Sequence, residues 1–247
     1  MIVDASVGSK CCKLCGQVRQ LRKSHIVPEF CFRSLYNEKH KFIQLSNDPC
    51  DRTITRPQGL YDLLLCGECE ARMAVYENYF KSLISDGNLD QDLNENIIKV
   101  TGVDSDQLKF FTVSVIWRYY VSKFRKCDFE LGPHADYMKR MLLNSESSIW
   151  HKYGFIWIQG ISLPASFSKA IMLPINKRID GHRAIMMVMF GLFWVIFTSK
   201  HANEHRLSEY FCRDGLLFVI NDDEYAKRWF SELAADLNNK GKLDFHF

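Results

Sequence analysis

The sequence predicts an α+β fold with an N-terminal zinc-bound module of treble-clef or ββα type, a helical segment after it, and an antiparallel sheet domain. Three observations predict this order: two Cys-x2-Cys pairs near the start, apolar residues at helical spacing over 108–124, and short apolar runs between 153 and 220. The acidic, turn-rich segment 86–96 marks the expected boundary. We therefore expect a module over 1–88 and an α+β domain over 97–247.

Composition excludes several classes of protein. The 247 residues are 47% hydrophobic and 25% charged, so the chain can bury a large core without disulfide staples and is not intrinsically disordered. A net charge of +3 excludes a strong overall attraction to polyanions, so any basic surface must be local. Residues 1–60 hold ten Lys or Arg against five Asp or Glu, whereas residues 61–100 hold three against eight.

The first residues and the apolar segments predict an intracellular protein. The first residues lack the basic and apolar regions of a secretory signal, which predicts a cytoplasmic location. The apolar run 184–197 contains Gly191 and is shorter than the roughly 20 residues that a membrane helix needs, so a buried β-hairpin is expected there. We expect no membrane partner.

The C-terminal region is predicted from local signals. Asp104 and Gln107 resemble a capping box, so a buried helix should begin near Ser105. A second helix is expected over 135–143 and a closing amphipathic helix over 224–237. Strands are expected over 153–158, 170–175, the two arms around Gly191, and 216–220. We find no catalytic constellation in this region.

The two Cys-x2-Cys pairs predict one structural zinc ion bound by Cys12, Cys15, Cys66 and Cys69. Gly16 follows the first pair, as in a zinc knuckle, and apolar residues at helical spacing follow the second pair, which should therefore occupy the first turn of a helix. The alternative is a set of unrelated buried thiols. The cysteines at 31, 50, 127 and 212 lack such pairing and are expected in the core.

Between the pairs lies Ser24-His25-Ile26-Val27-Pro28, and the second pair reads Leu63-Leu64-Leu65-Cys66-Gly67-Glu68-Cys69-Glu70. In the order of these parts the chain resembles the HNH (ββα-metal) nuclease family. Its zinc-bearing members have Cys-x2-Cys, an acidic residue or His before His-Ile-x-Pro, and leucine-rich residues leading to Cys-x2-Cys-His. The resemblance covers between a quarter and a third of the chain and does not extend beyond residue 90.

The resemblance implies that His25 is the general base that deprotonates a water molecule for in-line attack on a phosphodiester. Ser24 stands where the family has an Asp or His that helps to hold a catalytic ion, Tyr61 lies near the usual Asn, and Glu70 replaces the last His. Glu70 would hold or orient Mg²⁺ or Mn²⁺, with Ser24 as a weak ligand. Asp62 or Glu77 are further candidates, although Glu77 lies two helical turns from Glu70.

A non-catalytic role remains open for each of these residues. His25 could be a hydrogen-bonded or zinc-ligating histidine, and Glu70 a solvated charge that the helix dipole favours. Four basic residues flank the His motif and are candidates for contact with a phosphate backbone, or are simply solvated: Arg19, Arg22, Lys23 and Arg33. Aromatic residues after Pro28 favour a short helix whose rings join the core.

Two functions follow as expectations. The first is a metal-dependent HNH-like endonuclease that cleaves nucleic acid, with DNA preferred, in bacterial genome defence including antiphage defence. The second is a non-catalytic, zinc-dependent module that binds nucleic acid or protein. A defence effector that is active only with a protein partner is a third possibility, and in each case the C-terminal domain would bind a partner or set specificity.

Overall fold

The computed structural model describes residues 10–46, 52–85, 96–146 and 153–239, which form an α+β fold. The N-terminal part contains β1 (Lys10–Cys11), β2 (Val18–Arg19), β3 (Leu21–His25), β4 (Phe42–Gln44), β5 (Ile54–Arg56), β6 (Tyr61–Cys66) and helix α1 (Gly67–Ser85). The remainder contains β7 (Ile97–Thr101), α2 (Ser105–Val121), α3 (His134–Asn144), β8 (Gly154–Gln159), β9 (Met172–Ile179), β10 (His182–Met189), β11 (Leu192–Phe197), β12 (Leu216–Asn221) and α4 (Asp223–Asn239).

Near the N-terminus, a hairpin leads directly into a helix. Strand β3 pairs antiparallel with β6, with Ser24 opposite Asp62 and His25 opposite Tyr61, and α1 begins immediately after β6. Strands β1 and β2 form a short hairpin before this unit, and β4 pairs with β5 in the long connection between β3 and β6. The 3₁₀ helix Glu29–Leu35 follows Pro28, where the sequence predicted a short helix.

The central sheet has six strands in the order β7-β12-β8-β11-β10-β9. Every neighbouring pair is antiparallel except β12 and β8, which are parallel. The predicted hairpin is confirmed, because β10 and β11 pair around Phe190 and Gly191, whose φ angles of 56° and 72° suit a tight two-residue turn. Strand β7, the edge strand that follows the predicted boundary, was not predicted.

Both faces of this sheet are covered, which explains why its strands are almost continuously apolar. Trp157 and Trp194 face the core that contains α1, α2 and α3, whereas Ile156 and Val195 face a second core that contains residues of α4. The sheet is therefore the middle layer of three. A strand buried on both faces loses the alternation that marks a half-exposed strand.

The predicted helices are confirmed with small changes at their ends. Asp104 caps α2 by accepting hydrogen bonds from the backbone N–H groups of Asp106 and Gln107 at 3.1 and 3.0 Å. The reciprocal half of the capping box is not formed, because the backbone N–H of Asp104 donates to the Tyr79 hydroxyl at 2.6 Å. The first helix of the C-terminal region is thereby joined to α1.

One hydrophobic core spans the two regions that the sequence separates. Phe80 of α1 stacks on Phe111 of α2, with ring centroids 4.1 Å apart, and contacts Trp194 of β11 at 5.2 Å. Buried residues from Cys12 to Val219 belong to this single cluster. Most of the predicted boundary segment, residues 86–95, lies outside the described residues.

Within the described ranges, no helix has both the length and the apolar character needed to cross a membrane. The cytoplasmic location stays a prediction.

Candidate functional site

A cluster of four cysteines lies at the start of the hairpin-helix unit. The Sγ atoms of Cys12, Cys15, Cys66 and Cys69 all lie within 4.8 Å of one another, and those of Cys15 and Cys66 are 3.9 Å apart. The sequence predicted this grouping, although Cys66 is the last residue of β6 and only Cys69 lies in the first turn of α1. The cluster could bind a metal ion such as zinc.

Backbone hydrogen bonds shape the first pair into a knuckle. The Gly16 N–H donates to the Cys12 carbonyl at 2.9 Å, and Gly16 has a φ of 75°, a conformation that glycine adopts without strain. The Lys13 N–H donates to the Leu64 carbonyl at 2.9 Å, which ties the knuckle to β6. Burial opposes ionisation of the Cys12 thiol, but the N–H groups around it lower its pKa to about 7.

The remaining cysteines differ from expectation in one case. Cys31 and Cys212 are buried in the core as predicted, whereas Cys127 is exposed, so its predicted core position is wrong. It lies in the turn region between α2 and α3, where solvent reaches the chain. Cys11 is exposed and lies outside the four-cysteine cluster, and Cys50 lies outside the described residues.

Ser24 of β3 and Glu70 of α1 are brought together by a hydrogen bond. Ser24 is fully buried, its hydroxyl donates a hydrogen bond to a Glu70 carboxylate oxygen, and it accepts one from the Leu65 N–H at 3.1 Å. Burial raises the pKa of Glu70, while the Ser24 hydroxyl and the nearby Arg118 guanidinium oppose that rise. Glu70 is therefore not a fully solvated charge at the start of a helix, which was the non-catalytic interpretation of this residue.

His25 is the last residue of β3 and remains partly open to solvent, with 36% of its side chain exposed. Its Nε2 lies 3.4 Å from Oε2 of Glu29. Glu29 is held in turn by the Gly59 N–H at 3.0 Å and by the Tyr36 hydroxyl. A β-carbon at Gly59 would lie 2.6 Å from that Glu29 oxygen, so glycine is required for this approach.

Arg118 is a functional candidate that the sequence reasoning missed. It is buried in α2, donates from Nη1 to the His25 carbonyl at 2.6 Å, and pairs with Glu77 at 2.7 Å. Its Nε and Nη2 donate to the backbone carbonyl and the hydroxyl of Ser114, both at 3.2 Å. An arginine within an otherwise apolar helix is a signal of a buried ion pair, and it could have been found.

The two further acidic candidates are engaged elsewhere. Glu77 pairs with Arg118, and Asp62 accepts hydrogen bonds from the backbone N–H groups of Leu63 and Lys123 at 2.8 and 2.9 Å. In the part of the chain that the structure describes, the four cysteines form the one group of three or more His, Cys, Asp or Glu that could hold a metal ion.

The predicted basic residues differ in their surroundings. Arg19 is in an ion pair with Glu68 of α1, and Arg33 is exposed in the 3₁₀ helix after His25. Arg22 and Lys23 are exposed on β3 itself, and the Lys23 ammonium lies 4.9 Å from the centre of the Tyr61 ring. Tyr61 meets the His25 ring edge-on at 6.3 Å.

Comparisons of the chain with protein-family models, with curated proteins and with solved structures gave no match.

Proposed function

We propose that this chain is an HNH-like, metal-dependent endonuclease that hydrolyses phosphodiester bonds of nucleic acid, with DNA as its substrate. One observation carries the proposal. The partly exposed His25 ends the first strand of a hairpin, and Glu70 lies in the first turn of the helix that follows the second strand. The candidate base thus follows Ser24, which hydrogen-bonds the candidate acidic ligand, in a hairpin-helix unit whose start holds four cysteines.

His25 is the general base in this proposal. The Glu29 carboxylate lies 3.4 Å from Nε2 and would favour a proton on that nitrogen, which would leave Nδ1 to take a proton from water. The water oxygen then forms a bond to phosphorus as the bond to the leaving oxygen breaks. Glu29 and Arg118 are positioning residues, since Glu29 orients the ring and Arg118 fixes the His25 backbone.

Glu70 would hold the catalytic Mg²⁺ or Mn²⁺, with Ser24 beside it as a weak ligand. A single carboxylate suits Mg²⁺, which keeps several water molecules and uses oxygens of the substrate phosphate as further ligands. When bound, the ion would stabilise negative charge on the phosphate. The Ser24 hydroxyl holds the Glu70 carboxylate against β3.

The four cysteines would bind a structural zinc ion in a treble-clef arrangement. Zn–S bonds of about 2.3 Å in a tetrahedron place sulfur atoms about 3.8 Å apart, and the Cys15 and Cys66 sulfurs are separated by 3.9 Å. Four protein ligands leave no open position for a reaction. The zinc would therefore hold the knuckle against α1 and take no part in hydrolysis.

A non-catalytic module that binds nucleic acid or protein is the second candidate. The observation in its favour is that, among the described residues, no acidic cluster accompanies Glu70 to complete a metal site of three side chains. A third version of the proposal is an effector in a bacterial defence complex that is active only when a protein partner is bound.

The first experiment compares wild type, His25→Ala and His201→Ala on supercoiled plasmid, linear DNA and RNA with Mg²⁺, Mn²⁺ or Ni²⁺. His201 is a matched control because its side chain is 72% exposed and it lies in the C-terminal region, after β11. We expect wild type and His201→Ala to nick DNA in a metal-dependent reaction, and His25→Ala to lose at least a hundredfold in rate, since general bases contribute about 10²–10⁴-fold.

Equal cleavage by His25→Ala and wild type would overturn the assignment of the base. If wild type binds nucleic acid and never cuts it, the non-catalytic module is supported. Release of zinc or unfolding of His25→Ala would show that His25 has a structural role.

A further inference from the structure

A cleft that the sequence did not indicate lies directly beside His25. It has a volume of about 330 Å³ and lies between the turn that precedes β6 and the chain that leaves α2. We define this basic cleft by Arg56, Gln58, Tyr61, Lys123 and Phe124, which line it. Tyr61 is the residue opposite His25 in the β3–β6 pair, so the cleft opens next to the candidate base.

Three cations are arranged on two aromatic rings at this cleft. The Arg56 guanidinium carbon lies 5.6 Å from the centre of the Phe124 ring, and the Lys123 ammonium lies 5.3 Å from the same ring. The Lys23 ammonium lies over Tyr61. Aromatic faces attract cations without neutralising their charge, so the rings hold these groups in place while they stay available to an anion.

The ion pair between Lys123 and Asp62 leaves the Lys123 ammonium available to an anion. Asp62 lies 4.0 Å from the Lys123 ammonium, at the outer limit of an ion pair, and its two oxygens accept the backbone N–H groups of Leu63 and Lys123. Lys123 is 63% exposed. By contrast, the guanidinium of Arg19 is paired with Glu68, which makes Arg19 a poorer phosphate contact.

We propose that the basic cleft binds successive phosphates of a nucleic-acid strand and leads that strand to His25. The inference rests on the proposed function and names the surface that holds the substrate. Fixed cations that contact phosphates give an affinity that is independent of sequence and falls steeply with salt. Because Lys123 and Phe124 follow α2, the C-terminal region supplies part of the substrate site.

The test measures binding of a labelled oligonucleotide, duplex and single-stranded, by fluorescence anisotropy without added divalent ions across a series of salt concentrations. Wild type is compared with Arg56→Gln/Lys123→Gln. The control is Arg183→Gln/Lys200→Gln, which removes the same two charges from exposed positions in and after the β10–β11 hairpin. A charge-retaining variant, Arg56→Lys/Lys123→Arg, separates loss of charge from loss of structure.

We expect the cleft variant to bind roughly tenfold more weakly at low salt, equally for unrelated sequences. Its slope of log K against log salt on duplex should fall by about 1.8, since each phosphate contact contributes about 0.9. The control and the charge-retaining variant should bind like wild type.

An unchanged affinity and slope in the cleft variant, or a wild type that binds no nucleic acid, would overturn the inference. If the cleft variant loses its salt-dependent binding and wild type never cleaves, the cleft stands and the proposed hydrolysis fails.

Discussion

Glu70 shows how a single side chain can matter for both stability and function. Its carboxylate accepts a hydrogen bond from the Ser24 hydroxyl, and burial raises its pKa. A raised pKa means that the folded state favours the protonated form of Glu70. The contribution of Glu70 to the free energy of unfolding is therefore present at low pH and is lost as pH rises through that pKa. A buried acid that destabilises the fold at neutral pH is typical of a functional site.

We therefore expect Glu70→Gln to melt at the same temperature as wild type or higher at pH 8, with the difference shrinking towards pH 4. The amide oxygen still accepts the Ser24 hydrogen bond, but the buried charge is removed. Cleavage should be lost in the same variant. Thermal melts across this pH range test the idea, with Glu68→Gln as the control from the same helical turn because Glu68 is 77% exposed. A lower melting temperature that worsens as pH rises would contradict it.

At the scale of secondary-structure elements, the four cysteines connect short segments that would not be stable by themselves. The knuckle lies between two strands of two residues each, and strands this short cannot form a stable hairpin in water by themselves. The cluster connects this knuckle to the end of β6 and the first turn of α1. If zinc binds there, its binding free energy is part of the folding free energy of the hairpin-helix unit.

Elemental analysis of the purified protein should find one zinc per chain. Cys69→Ala should lose the metal and several kcal/mol of stability, on the order expected for a structural zinc site. Cys11→Ala is the matched control, because Cys11 is exposed and lies outside the cluster. A metal-free wild type, or a Cys69→Ala variant that melts with wild type, would show that the cluster is not a zinc site.

At the scale of the whole molecule, α1 joins the hairpin-helix unit to the central sheet. Phe80 contacts rings from the 3₁₀ helix, from α2 and from β11: Phe30, Phe111 and Trp194. The buried Arg118 makes a second, polar connection from α2 to the backbone of His25. The position of the candidate base therefore depends on packing in the C-terminal region.

Phe80→Ala should lower the free energy of unfolding by about 3–5 kcal/mol, the usual cost of removing a buried aromatic ring. Unfolding in urea should remain a single transition, with tryptophan fluorescence and far-UV circular dichroism changing together, because both regions share one core. Val75→Ala is the control on the same helix, since Val75 is 55% exposed. Two separate transitions in wild type would indicate that the regions fold independently.

The sequence by itself determined the features that local spacing encodes. The Cys-x2-Cys pairs, the start of α2 and the β10–β11 hairpin could all be predicted, because knuckle geometry, helix capping and tight turns depend on neighbouring residues. The apolar strands were also found, although their burial on both faces hid the alternation that would have fixed their boundaries.

Only the tertiary structure decided which residues surround His25. Glu29 is held by Gly59, Arg118 reaches the His25 carbonyl from α2, and Lys123 and Arg56 line the same basic cleft. The members of each pair are at least thirty positions apart in the sequence. A local hydrophobic period therefore cannot predict that they lie together. Long-range packing of α1 and α2 brings these groups together, so their roles follow from the fold.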